Sequence, residues 1–209
     1  MPCGIDMVVF DMDGVLAHLD HARRLELLAE MTGKDPAFLH AAIWASDFES
    51  SAEAGAYPTG AEYLAEFNRR TQSSLPREQW VRARRDAMTV HAETLRIARN
   101  LGDLCDIAML TNNGSLLYES LPEIVPDVHR VFGDRAHASF QFSARKPQVE
   151  VFERLLTRYR VSAEGAVYVD DSEEFVAGAR DAGMYGICFT GAAELQRRLN
   201  ELGLRLEPT

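Results

Sequence analysis

The sequence runs Val8-Val9-Phe10-Asp11-Met12-Asp13-Gly14-Val15 near its amino terminus, an apolar segment that ends in two aspartates and a glycine. The apolar residues predict a buried strand over residues 5–10, with the aspartates in the loop at its tip. Two carboxylates so close together are costly unless a cation lies between them or one is protonated. Glycine lets the backbone turn tightly and lets a ligand approach the amides. The segment therefore predicts either a site for a hard divalent cation or chemistry that uses one carboxylate as nucleophile and the other as acid.

A calcium loop of the EF-hand type is a poor alternative for this segment. Such a loop continues with oxygen ligands and carries a glutamate at its twelfth position. Here Val15, Leu16 and Ala17 follow, and Ala22 occupies the twelfth position counted from Asp11. A polar turn after a strand, with no function, is the other alternative.

Composition limits the class of protein. The chain has 209 residues, of which 46% are apolar, and a formal net charge of −10. This size allows one good core, or a core with a smaller attached module. The negative charge argues against nucleic acid as a general partner. Because no apolar run is long enough to span a bilayer and the first residues lack a basic secretory signal, we expect no membrane association.

The cysteines and lysines add two expectations. Cys3, Cys105 and Cys188 are odd in number and lack the spacing of metal ligands, which predicts reduced thiols in a cytoplasmic protein. Lys34 and Lys146 are the two lysines in a chain that otherwise uses arginine. A lysine in such a chain raises the question of whether a compact ammonium is needed at its position.

Helices and short apolar strands alternate from residue 92 onward. The predicted helices are 92–101, 115–121, 147–159, 173–182 and 192–202. The predicted strands are 107–110, 166–169 and 185–189, with further extended segments near 128–132 and 139–142. This alternation predicts an α/β fold, a doubly wound parallel sheet that is covered by helices on both faces.

The region between the first strand and this alternation is predicted to be helical. Amphipathic helices are expected at 23–31, 36–44 and 59–70, with Thr59 as an N-cap, and a further helix is expected to begin at Ser74 or Pro76 and to run to residue 88. Residues 50–60 are expected to form a loop that can include a short helical turn. We therefore predict two domains, a Rossmann-like core of residues 1–17 and 89–209 and an inserted α-helical cap of residues 18–88. The insert should lie near the carboxyl ends of the strands, where open α/β sheets bind ligands.

Polar residues follow each of the main predicted strands. They are Asp11 and Asp13, Thr111-Asn112-Asn113-Gly114, Lys146 at the start of a helix, and Asp170-Asp171-Ser172. In a parallel sheet these ends lie on one edge, so the sequence predicts that carboxylates, a hydroxyl, backbone amides and a lysine converge there.

At this point the chain resembles the haloacid dehalogenase-like (HAD) hydrolase superfamily. Asp11-Met12-Asp13-Gly14-Val15 looks like its first motif, Thr111-Asn112 like its second, Lys146-Pro147 like its third and Asp170-Asp171-Ser172 like its fourth. Order and spacing match over nearly the whole chain, and the helical insert is similar to the small cap of that family. The insert and the segment Tyr168-Val169-Asp170-Asp171-Ser172 look most like a branch that includes sugar-phosphate phosphatases.

The resemblance implies a nucleophile and a metal site. Asp11 would attack phosphorus and form an aspartyl phosphate. Magnesium would be held by the Asp11 carboxylate, the Asp13 backbone carbonyl and Asp171, while Asp170 would bind it directly or through water.

The resemblance also implies roles for the remaining motif residues. Asp13 would protonate the leaving oxygen and then activate water. This role requires that Asp13 starts protonated, and the negative charge of its acidic neighbours would favour the protonated form. Lys146 would offset the charge on Asp11 and on the transferred group. The phosphoryl oxygens would be held by Thr111, the Asn112 amide and the amides around Met12 and Gly14.

Together these features predict a phosphatase that acts on a small-molecule phosphate monoester, such as a sugar phosphate. Carbon–halogen dehalogenases of the superfamily lack an aspartate at the position of Asp13, because halide leaves without a proton. A phosphosugar mutase on the same scaffold and a non-catalytic sensor of phospho-ligands are the alternatives. His18, Trp44 and Phe48 are the candidate specificity residues of the cap.

Overall fold

The computed structural model describes residues 4–205, and a five-stranded parallel sheet lies at its centre. Within this range the strands are β1 (Met7–Phe10), β2 (Ala17–Leu19), β3 (Met88–Val90), β4 (Asp106–Thr111), β5 (Ala136–Ala138), β6 (Ala166–Asp170) and β7 (Tyr185–Cys188). The helices up to β4 are α1 (His21–Thr32), α2 (Pro36–Ile43), α3 (Phe48–Glu53), α4 (Gly60–Thr71), α5 (Arg77–Arg85) and α6 (Ala92–Leu101). Those after β4 are α7 (Ser115–Ile124), α8 (Pro126–Phe132), α9 (Val149–Tyr159), α10 (Glu173–Asp181) and α11 (Ala192–Glu201).

The central sheet has the order β5-β4-β1-β6-β7, and every neighbouring pair is parallel. Successive residues of β1 point to opposite faces of the sheet. Val8 and Phe10 belong to one hydrophobic cluster, whereas Met7 and Val9 belong to a second. Helices therefore cover both faces, which confirms the predicted doubly wound parallel sheet.

The ends of the helical region differ from the prediction. Residues 17–19 and 88–90 are strands β2 and β3, which pair antiparallel in a two-stranded ribbon. No sequence signal predicts this ribbon, because each strand has three residues and the two are distant in the chain. Helices α1 to α5, which we call the helical insert, lie between these strands, and the domain boundaries at 17/18 and 88/89 stay a prediction.

Residues 128–132 are helical, so the prediction of an extended segment there was wrong. Pro126 begins α8 at its first turn, where a proline is tolerated, and Val128 and Phe132 are buried one helical turn apart. The segment 139–142 is a turn of 3-10 helix, and the strand of this region is the short β5 before it. Alternating apolar residues in such short segments do not distinguish a strand from a helical turn.

Two remaining predictions can be compared with the structure. Neither Cys105 nor Cys188 is in a disulfide, and Cys3 lies outside the described residues. Between residues 4 and 205, no helix has both the length and the apolar character needed to cross a membrane.

Candidate active site

The register of the sheet brings the motif residues to one edge. Phe10 of β1 pairs with Met109 of β4 on one side and with Val169 of β6 on the other. The next residue along each of two neighbouring strands is therefore an aspartate, Asp11 or Asp170. This is the convergence that the sequence predicts.

Lys146 lies between these two aspartates. Its ammonium is 2.7 Å from Asp11 Oδ1 and 2.7 Å from Asp170 Oδ2, and the lysine side chain is fully buried. Burial acts to lower the pKa of Lys146, but the charges of Asp11 and Asp170 raise it above its usual value. The side chain of Asn112 holds the lysine backbone, because it accepts a hydrogen bond from the Lys146 amide at 2.9 Å and donates one to its carbonyl at 3.0 Å.

Asp170 ends β6 and Asp171 follows it, and the two side chains are in different environments. Asp170 is buried, and its oxygens accept hydrogen bonds from Lys146, from the Tyr168 hydroxyl at 2.5 Å and from the Ser172 amide at 2.9 Å. Asp171 is exposed and lines the cleft. A Cβ at position 14 would lie 2.3 Å from Asp171 Oδ2, and Gly14 has a φ of +93°, so a glycine is required there.

The carboxylates of this edge carry more negative charge than Lys146 balances. Oxygens of Asp11, Asp170 and Asp171 all lie within 4.8 Å of one another. Burial raises the pKa of Asp11 although Lys146 opposes it, and burial together with the neighbouring Asp170 raises the pKa of Asp171. Oxygen ligands in excess of positive charge are the environment that a hard dication such as Mg²⁺ fits.

Asp13 is held by donors from two parts of the chain. Arg84 of the helical insert contacts both of its oxygens through Nη2, at 2.8 and 2.6 Å, and Asn113 Nδ2 lies 3.2 Å from Oδ2. The Arg84 side chain is 2% exposed. Asp13 is therefore paired with a cation from the insert, a contact that the sequence analysis did not predict.

The groups that are predicted to bind phosphoryl oxygens differ in whether their hydrogen-bond donors already have an acceptor within the protein. The Thr111 hydroxyl accepts a hydrogen bond from Asn113 at 2.8 Å and keeps its own hydrogen to donate. The Met12 amide donates to no acceptor between residues 4 and 205. The Gly14 amide, in contrast, donates to Ala17 O at 2.8 Å, so in this arrangement it is not free to bind a phosphoryl oxygen.

A cleft of about 250 Å³ lies between the sheet edge and the helical insert, and its lining includes Asp11, Asp13 and Lys146. Of the three predicted specificity residues, Trp44 lines this cleft. Phe48 is fully buried against Tyr57, Tyr63 and other aromatic rings of the insert, which does not fit contact with a substrate. His18 is exposed on β2 and is not among the lining residues.

The insert contributes charged residues that the sequence analysis missed. Arg24 and Arg84 line the cleft and are buried, and Glu53 of α3 forms an ion pair at 2.6 Å with Arg145, next to Lys146. A signal for the two arginines was present, since Arg24 is one turn from Leu27 and Leu28 and Arg84 is one turn from Trp80. A charged residue on the apolar face of an amphipathic helix is costly without a partner, so it indicates a site.

The chain belongs to the haloacid dehalogenase-like hydrolase family, whose model matches residues 5–183. The fold and the convergence of the four motifs at one sheet edge agree with this membership. None of the curated proteins matches the chain.

Solved structures of the family share the fold at low sequence identity. A predicted HAD-like family hydrolase from Porphyromonas gingivalis has a TM-score of 0.78 at 21% identity, over 93% of this chain and 98% of that chain. A HAD family enzyme from Bacteroides thetaiotaomicron, in complex with magnesium and inorganic phosphate, has a TM-score of 0.71 at 19% identity, over 87% and 92%. An L-2-haloacid dehalogenase from Xanthobacter autotrophicus, with covalently bound chloropropionic acid, has a TM-score of 0.61 at 15% identity, over 94% and 83%.

Proposed function

We propose that this hydrolase is a magnesium-dependent phosphatase that cleaves a small-molecule phosphate monoester through an aspartyl phosphate on Asp11. The observation that carries the proposal is the presence of two carboxylates, Asp11 and Asp13, in one cleft. The Lys146 ammonium donates a hydrogen bond to the first of them, Asp11. Halide leaves carbon without a proton, whereas an ester oxygen needs one, so a second carboxylate in the cleft favours ester cleavage. The magnesium and phosphate in the Bacteroides thetaiotaomicron structure are compatible with this proposal.

In the first step, a carboxylate oxygen of Asp11 forms a bond to phosphorus while the ester P–O bond breaks. Asp13 gives its proton to the leaving oxygen. Lys146, which contacts Asp11 Oδ1, offsets the charge of the nucleophile and of the transferred group, and the Thr111 hydroxyl and Met12 amide donate to phosphoryl oxygens.

In the second step, Asp13 takes a proton from water, which attacks phosphorus, releases phosphate and restores the Asp11 carboxylate. Asp11, the Asp13 carbonyl and Asp171 would hold magnesium, because both oxygens of Asp170 already accept hydrogen bonds from protein groups. When bound, the metal supplies positive charge to the phosphoryl oxygens. Residues 18–88 act in this proposal as a cap that excludes water from the cleft.

The test is phosphate release from 4-nitrophenyl phosphate and a panel of metabolite phosphates, with magnesium and with a chelator. The Asp11→Asn variant should lose activity by roughly a thousandfold or more while it stays folded, because it removes the nucleophile. Asp103→Asn, at an exposed acid in the loop before β4, is the matched control and should keep activity.

Three outcomes would contradict the proposal. One is full turnover by Asp11→Asn. Another is release of halide from a haloalkanoate without release of phosphate from any ester, which would indicate a dehalogenase. The third is a strict requirement for a bisphosphate activator, which would indicate the phosphosugar mutase.

A further inference from the structure

Arg24 of α1 is a buried cation that lines the cleft on the side formed by the helical insert. It is 4% exposed, and its guanidinium lies 5.4 Å from the ring centre of Trp44 and 5.2 Å from that of Trp80. Throughout residues 4–205, no carboxylate forms an ion pair with Arg24, and its Nε has no hydrogen-bond partner. A buried guanidinium without a partner is costly, which indicates that an anion normally completes this site.

Arg84 lies close enough to Arg24 for the two charges to interact. Burial lowers the pKa of Arg24, and the charge of Arg84 lowers it further. One Arg84 nitrogen, Nη2, binds Asp13, while its buried Nε has no partner in the described part of the chain. Asp13 therefore balances one of the two positive charges, and donors on both arginines remain free.

Glu49 and Glu53 of the insert also line the cleft, and within residues 4–205 neither forms an ion pair with Arg24 or Arg84. Glu49 Oε1 accepts a hydrogen bond from the Tyr63 hydroxyl at 2.8 Å. Glu53 pairs with Arg145 at 2.6 Å. The free donors of Arg24 and Arg84 are thus not explained by a contact within the insert.

We propose that the substrate carries a second anionic group, a carboxylate or a second phosphate, which binds Arg24 and Arg84 while its phosphate ester lies at Asp11. This inference rests on the proposed phosphatase function and narrows its substrate class. The planar guanidinium binds such groups through two parallel hydrogen bonds, and the rings of Trp44 and Trp80 fix its orientation. A cleft of about 250 Å³ favours a substrate in which a short linker separates the two anionic groups.

The experiment compares matched esters with the wild-type protein and magnesium. The substrates are alkyl phosphates, carboxyalkyl phosphates of the same chain length and the corresponding alkane bisphosphates. The readout is the ratio of kcat/KM for each anion-bearing ester to kcat/KM for the neutral-tailed ester. We expect a ratio of about tenfold to a hundredfold, the effect of hydrogen bonds to a charged group, and the ester with the larger ratio identifies the anion.

The Arg24→Gln variant should reduce this ratio by about tenfold or more, because it removes the charge and the fork of donors. Arg23→Gln is the matched control, since Arg23 is the preceding residue of α1, is exposed and pairs with Glu26. It should leave the ratio unchanged. If Arg24→Gln does not fold, Arg24→Lys is measured instead, and it should reduce the ratio severalfold because an ammonium lacks the planar fork.

A wild-type ratio near one, or an unchanged ratio in a folded Arg24 variant, would overturn the second-anion proposal. In either case the release of phosphate from the neutral esters would leave the phosphatase function standing. Failure of every ester in the panel would instead overturn the phosphatase function itself.

Discussion

Asp13 receives donors from both sides of the cleft, Arg84 from the helical insert and Asn113 from the loop after β4. A carboxylate in this position can exchange a proton with the substrate only when one of its oxygens faces the ester. Arg84 binds both oxygens through one nitrogen, so Arg84 would have to release one of them before Asp13 could transfer a proton to a substrate. If the second-anion proposal holds, the same arginine contacts both the substrate anion and the acid.

The Asp13→Asn variant tests the acid role. Asparagine cannot donate the proton of a carboxylic acid, so cleavage of alkyl phosphates should fall by about a hundredfold or more. Aryl phosphates should lose less, since an aryl oxide leaves with little protonation. The measurement is kcat for both ester types.

The control for this variant is Asp86→Asn, at the exposed carboxyl end of α5, which should keep both activities. A thermal melting curve of Asp13→Asn shows whether the variant still folds when Arg84 has lost its carboxylate partner. Equal losses on alkyl and aryl esters would contradict the acid role.

At the scale of secondary-structure elements, helix α10 positions the segment that carries Lys146. Gly178 of α10 packs against Pro147, and a Cβ at this position would lie 2.2 Å from the Pro147 carbonyl oxygen. The close approach brings the helix against the backbone that places the ammonium between Asp11 and Asp170. The packing of α10 on Pro147 thus helps to set the position of the Lys146 ammonium.

The Gly178→Ala variant has two opposing effects on stability. Alanine favours a helix over glycine by about 1 kcal/mol, but the overlap with Pro147 forces the segment to move and costs about 1–3 kcal/mol. We expect the overlap to dominate, so the free energy of unfolding decreases and kcat falls as Lys146 moves.

Urea unfolding and phosphate-release assays check the Gly178→Ala result. Ala177→Gly is the matched control on the exposed side of the same helix. It should lose about 1 kcal/mol of stability and keep kcat. A Gly178→Ala protein that is more stable and equally active would show that the segment adapts without cost.

Elements with strong local signals could be predicted from the sequence. Thr59 and Glu62 form a reciprocal capping box at the start of α4, and Gly183 follows α10 with a φ of +89°. The ribbon of β2 and β3 could not be predicted, because its pairing joins residues about 70 positions apart in three-residue strands. The extended interpretation of 128–132 failed because a short apolar run carries no clear period.

For the whole molecule, the sequence could place the core half of the candidate site, whereas in the insert it could mark Arg24 and Arg84 as unusual but could not place them. Asp11, Lys146 and Asp170 meet because parallel strands end at one edge, a rule that follows from the fold class alone. The positions of Arg24 and Arg84 depend on how the helices of the insert pack on the core. No periodicity within one helix specifies that packing.

Buried His137 of β5 gives the folded molecule a dependence on pH. Burial lowers the pKa of His137 to about 4 from its ordinary value of 6.5. The unfolded chain therefore binds a proton that the folded protein excludes when the pH falls below 6.5. The contribution of His137 to the stability of the folded state is complete above pH 6.5 and decreases as the pH falls toward 4, by up to about 3 kcal/mol.

The His137→Gln variant should lose this part of the pH dependence, because glutamine does not titrate. The measurement is the free energy of urea unfolding at neutral pH and near pH 4.5 for wild type and variant. His40→Gln, at an exposed histidine of α2, is the control and should follow the wild type. If His137→Gln also follows the wild type, another group causes the loss of stability in acid.

The β2–β3 ribbon has a mechanical consequence. The two chain segments that enter and leave the insert are tied to each other, and hydrogen bonds from Asp20 to Ala87 and from His91 to Leu16 extend the tie at both ends. Any movement of the insert relative to the core would therefore act on both of these strands together. The backbone of Asp13 forms a β-bridge with Ala17, the first residue of β2. In the proposed phosphatase, such a movement would also displace Asp13, so substrate entry would be coupled to the position of the acid.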